Sequence, residues 1–140
     1  MPEEPTSPDL VDLTRRTLEV ANRRDFDATM SFYSLDAVWD MSPMGLGRYE
    51  GAAAVRGFFE DWIGAYEEWE MEPEEILDVG SGVTLAVFIQ NARLAGSGGY
   101  VRLRYAATAV WVNGRIAETT NYTDIDEARA AAERLAEERG

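Results

Sequence analysis

The sequence predicts an α+β fold in which helices pack on one face of a mostly antiparallel sheet. Helical periodicity dominates the first part of the chain. Residues 69–123 then contain four β-rich runs that are separated by turn residues. Asn113-Gly114, a strong hairpin signal, joins the last two strands, and an alanine-rich helix follows them. This order, α-α-β-α-β-β-β-β-α, is typical of a curved, cone-shaped sheet that N-terminal helices close on its concave face.

Two helices and a short strand are predicted at the start of the chain. Apolar spacing favours a helix over residues 9–23, with Ser7 as its cap and Pro8 in its first turn. Asp25 precedes a second, short helix and is its predicted cap. Residues 37–41 are predicted to form the first strand.

The third helix is predicted to carry an unusually aromatic face. After a loop at residues 42–50, the helix runs from Gly51 to about Tyr66, with Phe59 and Trp62 on its apolar side. The remaining strands are predicted at 69–79, 83–95, 100–112 and 115–123, and the last helix at 125–138.

Length and charge narrow the class of protein. At 140 residues we expect a single domain over residues 9–140, preceded by a flexible segment at residues 1–8. The net charge of −13 argues against nucleic acid and anionic membranes as partners. No apolar run reaches the length of a membrane span, and the acidic N-terminus is unlike a signal peptide, so a cytoplasmic protein is expected.

Cysteine and histidine are both missing, and their absence limits the chemistry. Without cysteine there is no thiolate nucleophile, and without histidine there is no serine triad or histidine base. The acidic stretch at residues 60–78 lacks calcium-loop spacing and is predicted to be a solvated surface, so no metal and no cofactor is expected. Catalysis would have to rely mainly on carboxylate proton transfer, or on shaping a substrate that reacts by itself.

Four short segments resemble a known superfamily: residues 25–33, Asp36-Ala37-Val38-Trp39-Asp40, residues 49–51 and residues 114–122. In order and spacing they are similar to the SnoaL-like polyketide cyclases and ketosteroid-isomerase-like proteins of the nuclear-transport-factor-like superfamily. The resemblance implies a cone-shaped pocket and a homodimer packed through the sheet. It does not imply one reaction, because this fold hosts isomerases, cyclases, dehydratases, hydrolases and inactive proteins.

The resemblance to the isomerases places a base on the first strand, where Asp40 is the available carboxylate. Most of the isomerase oxyanion network is absent, since the expected tyrosine corresponds to Thr17, although Tyr33 matches a companion tyrosine. Inside an apolar cone the pKa of Asp40 would rise, as a base requires. The alternative is that Asp40 faces solvent while Trp39 faces the pocket, as strand alternation permits.

The Asn-Gly turn predicts which side chains share a face of the sheet. Pairing Val112 with Arg115 sets Thr108 opposite Thr119. One face then holds Arg104, Ala106, Thr108, Thr119 and Asn121, and the other holds Leu103, Tyr105, Ala107, Ala109, Trp111, Ile116, Glu118, Thr120 and Tyr122. By resemblance the first face lines the cone and the second meets a partner subunit. The alternative exchanges the two faces.

These patterns support three hypotheses. In the first, the protein is a cofactor-independent isomerase, cyclase or dehydratase for a small apolar molecule. Its catalytic residues would be Asp40 as base, with Asn121 and Arg104, and its substrate-binding residues would be Trp39, Tyr33, Phe59, Trp62, Tyr66, Thr108 and Thr119. In the second, the same pocket binds a small apolar ligand without catalysis. In the third, the protein is a structural dimer.

Overall fold

The computed structural model describes residues 9–96 and 99–140. The helices are α1 (Leu10–Asn22), α2 (Phe26–Met30), α3 (Ala52–Gly64) and α4 (Ile125–Arg139), and a 3-10 turn covers Ser42–Met44. The strands are β1 (Tyr33–Asp40), β2 (Arg48–Glu50), β3 (Tyr66–Gly80), β4 (Val83–Leu94), β5 (Tyr100–Val112) and β6 (Arg115–Tyr122). The expected flexible segment at residues 1–8 lies outside the described residues.

The six strands form one sheet in the order β2-β1-β6-β5-β4-β3. Only the β1–β6 pair is parallel among these strands, and the others are antiparallel. Side chains from α1, α2 and α3 face the concave side of the sheet, whereas α4 packs on the opposite side. The predicted α+β class is confirmed, and the predicted helices and strands occur in the predicted order.

The helix starts follow from side-chain caps. Asp25 Oδ1 accepts a hydrogen bond from the backbone N–H of Ala28 at 3.0 Å, which confirms it as the cap of α2. The cap of α1 is Asp9, whose Oδ1 accepts from the N–H of Asp12 at 3.1 Å. The prediction of Ser7 as this cap, with Pro8 in the first turn, was therefore wrong, and both residues lie outside the described part of the chain.

The starts of β1 and β3 differ most from the prediction. β1 begins at Tyr33 rather than residue 37, and its pairing with β6 is irregular between Tyr33 and Val38, where Leu35 is 86% exposed. Because of this irregularity, side chains in the first half of β1 do not alternate regularly between the two faces, and a period-two pattern does not reveal where the strand begins. Tyr66 begins β3 instead of ending α3, which stops at Gly64, and β2 was not predicted.

A bulge in the last hairpin decides which side chains face the helices. Val112 pairs with Arg115 as predicted, and Trp111 pairs with Ile116, but Val110 then pairs with Glu118. The extra residue, Ala117, shifts all later pairs by one, so Thr119 lies opposite Ala109 rather than Thr108. The concave face therefore carries Tyr105, Ala107, Ala109 and Trp111 from β5 together with Thr119 from β6.

The last helix covers the other face of the same strands. Ala128 and Ala132 of α4 are fully buried against an apolar layer that includes Val83 and Ala106. Arg129 holds the helix to β3 with two hydrogen bonds to the Glu75 carboxylate, at 2.7 and 3.1 Å. These bonds lower the pKa of Glu75. The sheet is thus packed on both sides, and its concave side encloses an apolar hollow.

Candidate functional site

An apolar cavity lies between the first three helices and the concave face of the sheet. Its volume is about 100 Å³, which is of the same order as the roughly 150 Å³ apolar cavity that admits benzene in an engineered protein. In this conformation the cavity has room for a ligand of about one ring.

Aromatic side chains form most of the wall. They are Tyr33, Trp39, Phe58, Phe59, Trp62, Trp69, Phe88, Tyr105 and Trp111. The chain has four tryptophans, and all four line this cavity. Trp39 and Phe59 meet edge to face with ring centroids 4.7 Å apart, and Phe58 stacks on Trp62 at 5.6 Å. Such rings give a rigid, apolar enclosure for a small molecule.

Three threonines of the helical side have their hydroxyl groups engaged within their own helices. Thr14 donates to the carbonyl of Leu10 at 2.7 Å, and Thr17 donates to the carbonyl of Thr14 at 2.7 Å. Thr29 donates to the carbonyl of Asp25 at 2.8 Å. Although these threonines line the cavity, their polar atoms are already satisfied.

Two indole groups are fixed by hydrogen bonds to buried side chains. Trp111 donates to Thr84 Oγ1 at 2.9 Å, and Trp62 donates to Gln90 Oε1 at 3.0 Å. The Tyr105 hydroxyl is 3.4 Å from the same Gln90 oxygen. These bonds hold the strand side and the helix side of the wall in one arrangement.

Other buried polar atoms at the cavity have no hydrogen-bond partner among the described residues. They are Nε1 of Trp39, Nε1 of Trp69 and Oγ1 of Thr119. Asn121 is fully buried nearby on β6, where its Nδ2 donates to the carbonyl of Asp40 at 3.3 Å and its Oδ1 is unpaired within the same ranges.

The cavity carries no formal charge. None of its lining residues in the described ranges is Asp, Glu or Arg. Burial raises the pKa of Tyr33 and of Tyr105 far above the ordinary value for a phenol, so both hydroxyls stay neutral at physiological pH. A neutral wall of this kind favours neutral ligands, because an unpaired ion would lose its hydration without compensation.

Asp40 does not line the cavity, so the structure does not bring the predicted base to the predicted pocket. Its Oδ1 accepts a hydrogen bond from the backbone N–H of Ser42 at 2.9 Å and so starts the turn after β1. Trp39, the preceding residue, is the one that faces the cavity, as the alternative allowed.

Three further predicted site residues, Arg104, Thr108 and Tyr66, lie outside the cavity lining. Arg104 is exposed and pairs with Glu74 at 2.9 Å, and Thr108 is buried in a separate cleft beneath α4. The prediction that both line the cone was wrong because strand β5 presents its odd-numbered residues to the concave face. Tyr66 is not part of the lining either, although its ring packs edge to face with that of Trp62, with the ring centroids 6.3 Å apart.

The remaining predicted binding residues do meet in the cavity. Tyr33, Trp39, Phe59, Trp62 and Thr119 all line it. Sequence reasoning missed several others, including Trp69, Met71, Thr84, Tyr105 and Trp111. The alternating pattern of the last strands contained the signal for Tyr105 and Trp111, but it was assigned to a partner interface.

Comparisons with known proteins agree with this architecture. Residues 14–119 match the family model of the SnoaL-like domain. No curated protein sequence is significantly similar to this chain.

Solved structures share the fold at low identity. An NTF2-like protein of unknown function from Burkholderia pseudomallei has 21% identity and a TM-score of 0.72, covering 90% of this chain and 98% of its own. A candidate SnoaL-like polyketide cyclase from Shewanella putrefaciens has 12% identity and a TM-score of 0.70, covering 93% and 99%. A protein of ketosteroid-isomerase-like fold from Catenulispora acidiphila, in complex with trimethylamine, has 11% identity and a TM-score of 0.72, covering 91% and 94%.

The lengths and compositions of the helices bear on whether the protein crosses a membrane. Within residues 9–96 and 99–140, none is both long enough and apolar enough to cross a bilayer.

Proposed function

The chain belongs to the SnoaL-like domain family, and within that family we propose that it binds a small, neutral, mainly apolar molecule of about one ring without transferring protons. The observation that carries this proposal is the composition of the cavity wall. All four tryptophans of the chain surround one uncharged hollow of about 100 Å³. A purely structural dimer would be expected to have a close-packed interior without such a hollow.

The placement of the carboxylates favours binding over acid–base catalysis. A general base must come within hydrogen-bond reach of the proton that it removes. Asp40, the candidate base, is instead bonded to the Ser42 backbone and lies outside the lining. The two cavity phenols are weak acids whose pKa values are raised by burial, so they are poorly suited to supply a base near neutral pH.

The wall also indicates which ligands are excluded. A carboxylate or ammonium group would be desolvated against aromatic carbon with no opposite charge beside it, at a large cost in free energy. A neutral aromatic compound loses little hydration and gains ring contacts. We expect Kd values between about micromolar and millimolar for ligands of this size.

The proposal is tested by titrating the protein with toluene, benzoate and benzylamine while recording tryptophan fluorescence. Because each tryptophan lines the cavity, occupancy changes the emission of the whole protein. Toluene should bind with saturation, and the two charged analogues should bind at least about tenfold more weakly. Calorimetry of the same mixtures checks the stoichiometry.

A matched pair of variants locates the binding. Ala107 lines the cavity, whereas Ala54 is exposed on α3. Ala107→Leu fills part of the hollow and should abolish toluene binding, while Ala54→Leu should bind like the wild type. Benzoate binding as tight as toluene binding, or unchanged binding by Ala107→Leu, contradicts the proposal.

Homodimerisation through the sheet stays a prediction. Tyr105 and Trp111, which were expected at the partner surface, are 4% exposed and face the cavity instead. A dimer would have to use other residues, and the mass of the protein in solution tests whether one forms.

A further inference from the structure

Trp39 and Thr119 are neighbours across the β1–β6 pair, and both line the cavity. Each has a buried polar atom, Nε1 of Trp39 and Oγ1 of Thr119, without a hydrogen-bond partner among the described residues. Thr119 is only 4% exposed, so bulk water does not reach it freely. Two such atoms on adjacent strands are unusual, because buried polar groups in folded proteins are nearly always paired.

Four other polar groups of the wall are bonded. The hydroxyls of Thr14 and Thr17 are bound to carbonyls of α1, and the indoles of Trp62 and Trp111 are bound to Gln90 and Thr84. The unpaired atoms are therefore not a general property of this cavity, and they mark particular positions on its wall.

Trp69 also has an unpaired indole nitrogen, but its surroundings are less suited to a polar ligand group. It lies opposite Ala92, which is fully buried and has no side-chain polar atom. Trp39, in contrast, lies opposite a hydroxyl. An indole N–H can only donate, and a threonine hydroxyl can donate or accept.

We propose that Trp39 and Thr119 form a polar subsite that binds an acceptor oxygen, such as a carbonyl, ether or hydroxyl oxygen, of a neutral ligand. This inference rests on the proposed function and adds to it the chemistry of the ligand. The indole N–H of Trp39 donates to the oxygen, and the hydroxyl of Thr119 supplies a second donor. The rest of the ligand occupies the aromatic part of the cavity.

The first test uses the wild-type protein and two probes of matched shape. Acetophenone has a carbonyl oxygen where α-methylstyrene has a methylene group. Proton–nitrogen correlation spectra of isotope-labelled protein resolve the four indole signals, which are assigned through nuclear Overhauser contacts. Acetophenone should shift the Trp39 indole signal downfield, and α-methylstyrene should not. The bonded indoles of Trp62 and Trp111 serve as internal controls.

The second test compares two threonine-to-valine variants. In Thr119→Val the preference for acetophenone over α-methylstyrene should fall about three- to tenfold, the range expected for one neutral hydrogen bond. Thr120→Val removes a hydroxyl from the next residue of β6, which lines the separate cleft beneath α4 and not the cavity, so it should leave the preference unchanged.

The outcomes separate this inference from the proposed function. If both probes bind and only the Trp39 signal responds to the carbonyl, the subsite is supported. If both bind but Trp69 responds, or Thr119→Val keeps the wild-type preference, the subsite is wrong and the binding function stands. If neither probe binds the wild type, the binding function and the subsite are both wrong.

Discussion

Trp111 donates its indole N–H to Thr84 Oγ1 over 2.9 Å, and the two residues are 4% and 2% exposed. They lie on adjacent strands, β5 and β4, and both face the cavity. The bond fixes the orientation of a large side chain in the cavity wall. It therefore helps to keep the hollow open in one shape, rather than letting the indole collapse into it.

Thr84→Val should destabilise the protein by about 1–3 kcal/mol, because it leaves the buried indole N–H without an acceptor. Urea unfolding followed by circular dichroism measures this change. Thr84→Ser keeps the hydroxyl and is the control, with a smaller loss from the missing methyl group. Equal stability of the valine variant and the wild type would mean that the bond contributes little.

Asp40→Asn should leave the affinity for toluene unchanged, because residue 40 lies outside the cavity lining. The asparagine oxygen can still accept from the Ser42 N–H, so the unfolding free energy should also change little. Asp40→Ala removes that acceptor and should lower the stability while preserving the affinity. If a fluorescence titration shows that Asp40→Asn binds toluene more weakly than the wild type, the Asp40 carboxylate does contribute to the ligand site.

Much of the fold was predictable because local signals and the tertiary structure agree. The Asn113-Gly114 turn forms the expected hairpin, and the aromatic face of α3 supplies Phe59 and Trp62 to the cavity as its periodicity indicated.

The faces of β5 were not predictable in the same way. One bulge residue, Ala117, lets Ile116 and Thr119 both face the cavity, although they are three positions apart in one strand. Simple alternation from the turn cannot produce that arrangement. The choice between the two faces of β5 came from the family resemblance, which placed Arg104 and Thr108 inside, whereas the odd-numbered residues of β5 line the hollow. A bulge of this kind has no strong local signal, since packing of Trp111 and Ile116 against the helices selects it.

Alkaline conditions should destabilise the protein through its buried phenols. Burial raises the pKa of Tyr33 and Tyr105 above the unfolded value of about 10. Above that pH the unfolded chain loses protons that the native state retains, so the free energy of unfolding falls by about 1.4 kcal/mol per pH unit for each tyrosine. Urea unfolding across this range measures the slope.

Tyr33→Phe supplies the control for that slope. It should reduce the dependence on pH above about 10 and leave the dependence below pH 9 as in the wild type. A slope that is unchanged by the substitution would indicate that Tyr33 ionises as readily in the folded protein as in the unfolded chain.

Two glycine-to-alanine substitutions should change stability in opposite directions. Asn113 and Gly114 have φ values of 53° and 76°, the left-handed pair that the hairpin turn requires. Gly114→Ala should therefore cost about 1–2 kcal/mol. Gly57 lies inside α3, where an added Cβ meets no atom within 4 Å, so Gly57→Ala should stabilise by about 0.5–1 kcal/mol. Thermal unfolding of both variants checks the signs, and a neutral Gly114→Ala would show that the turn tolerates another geometry.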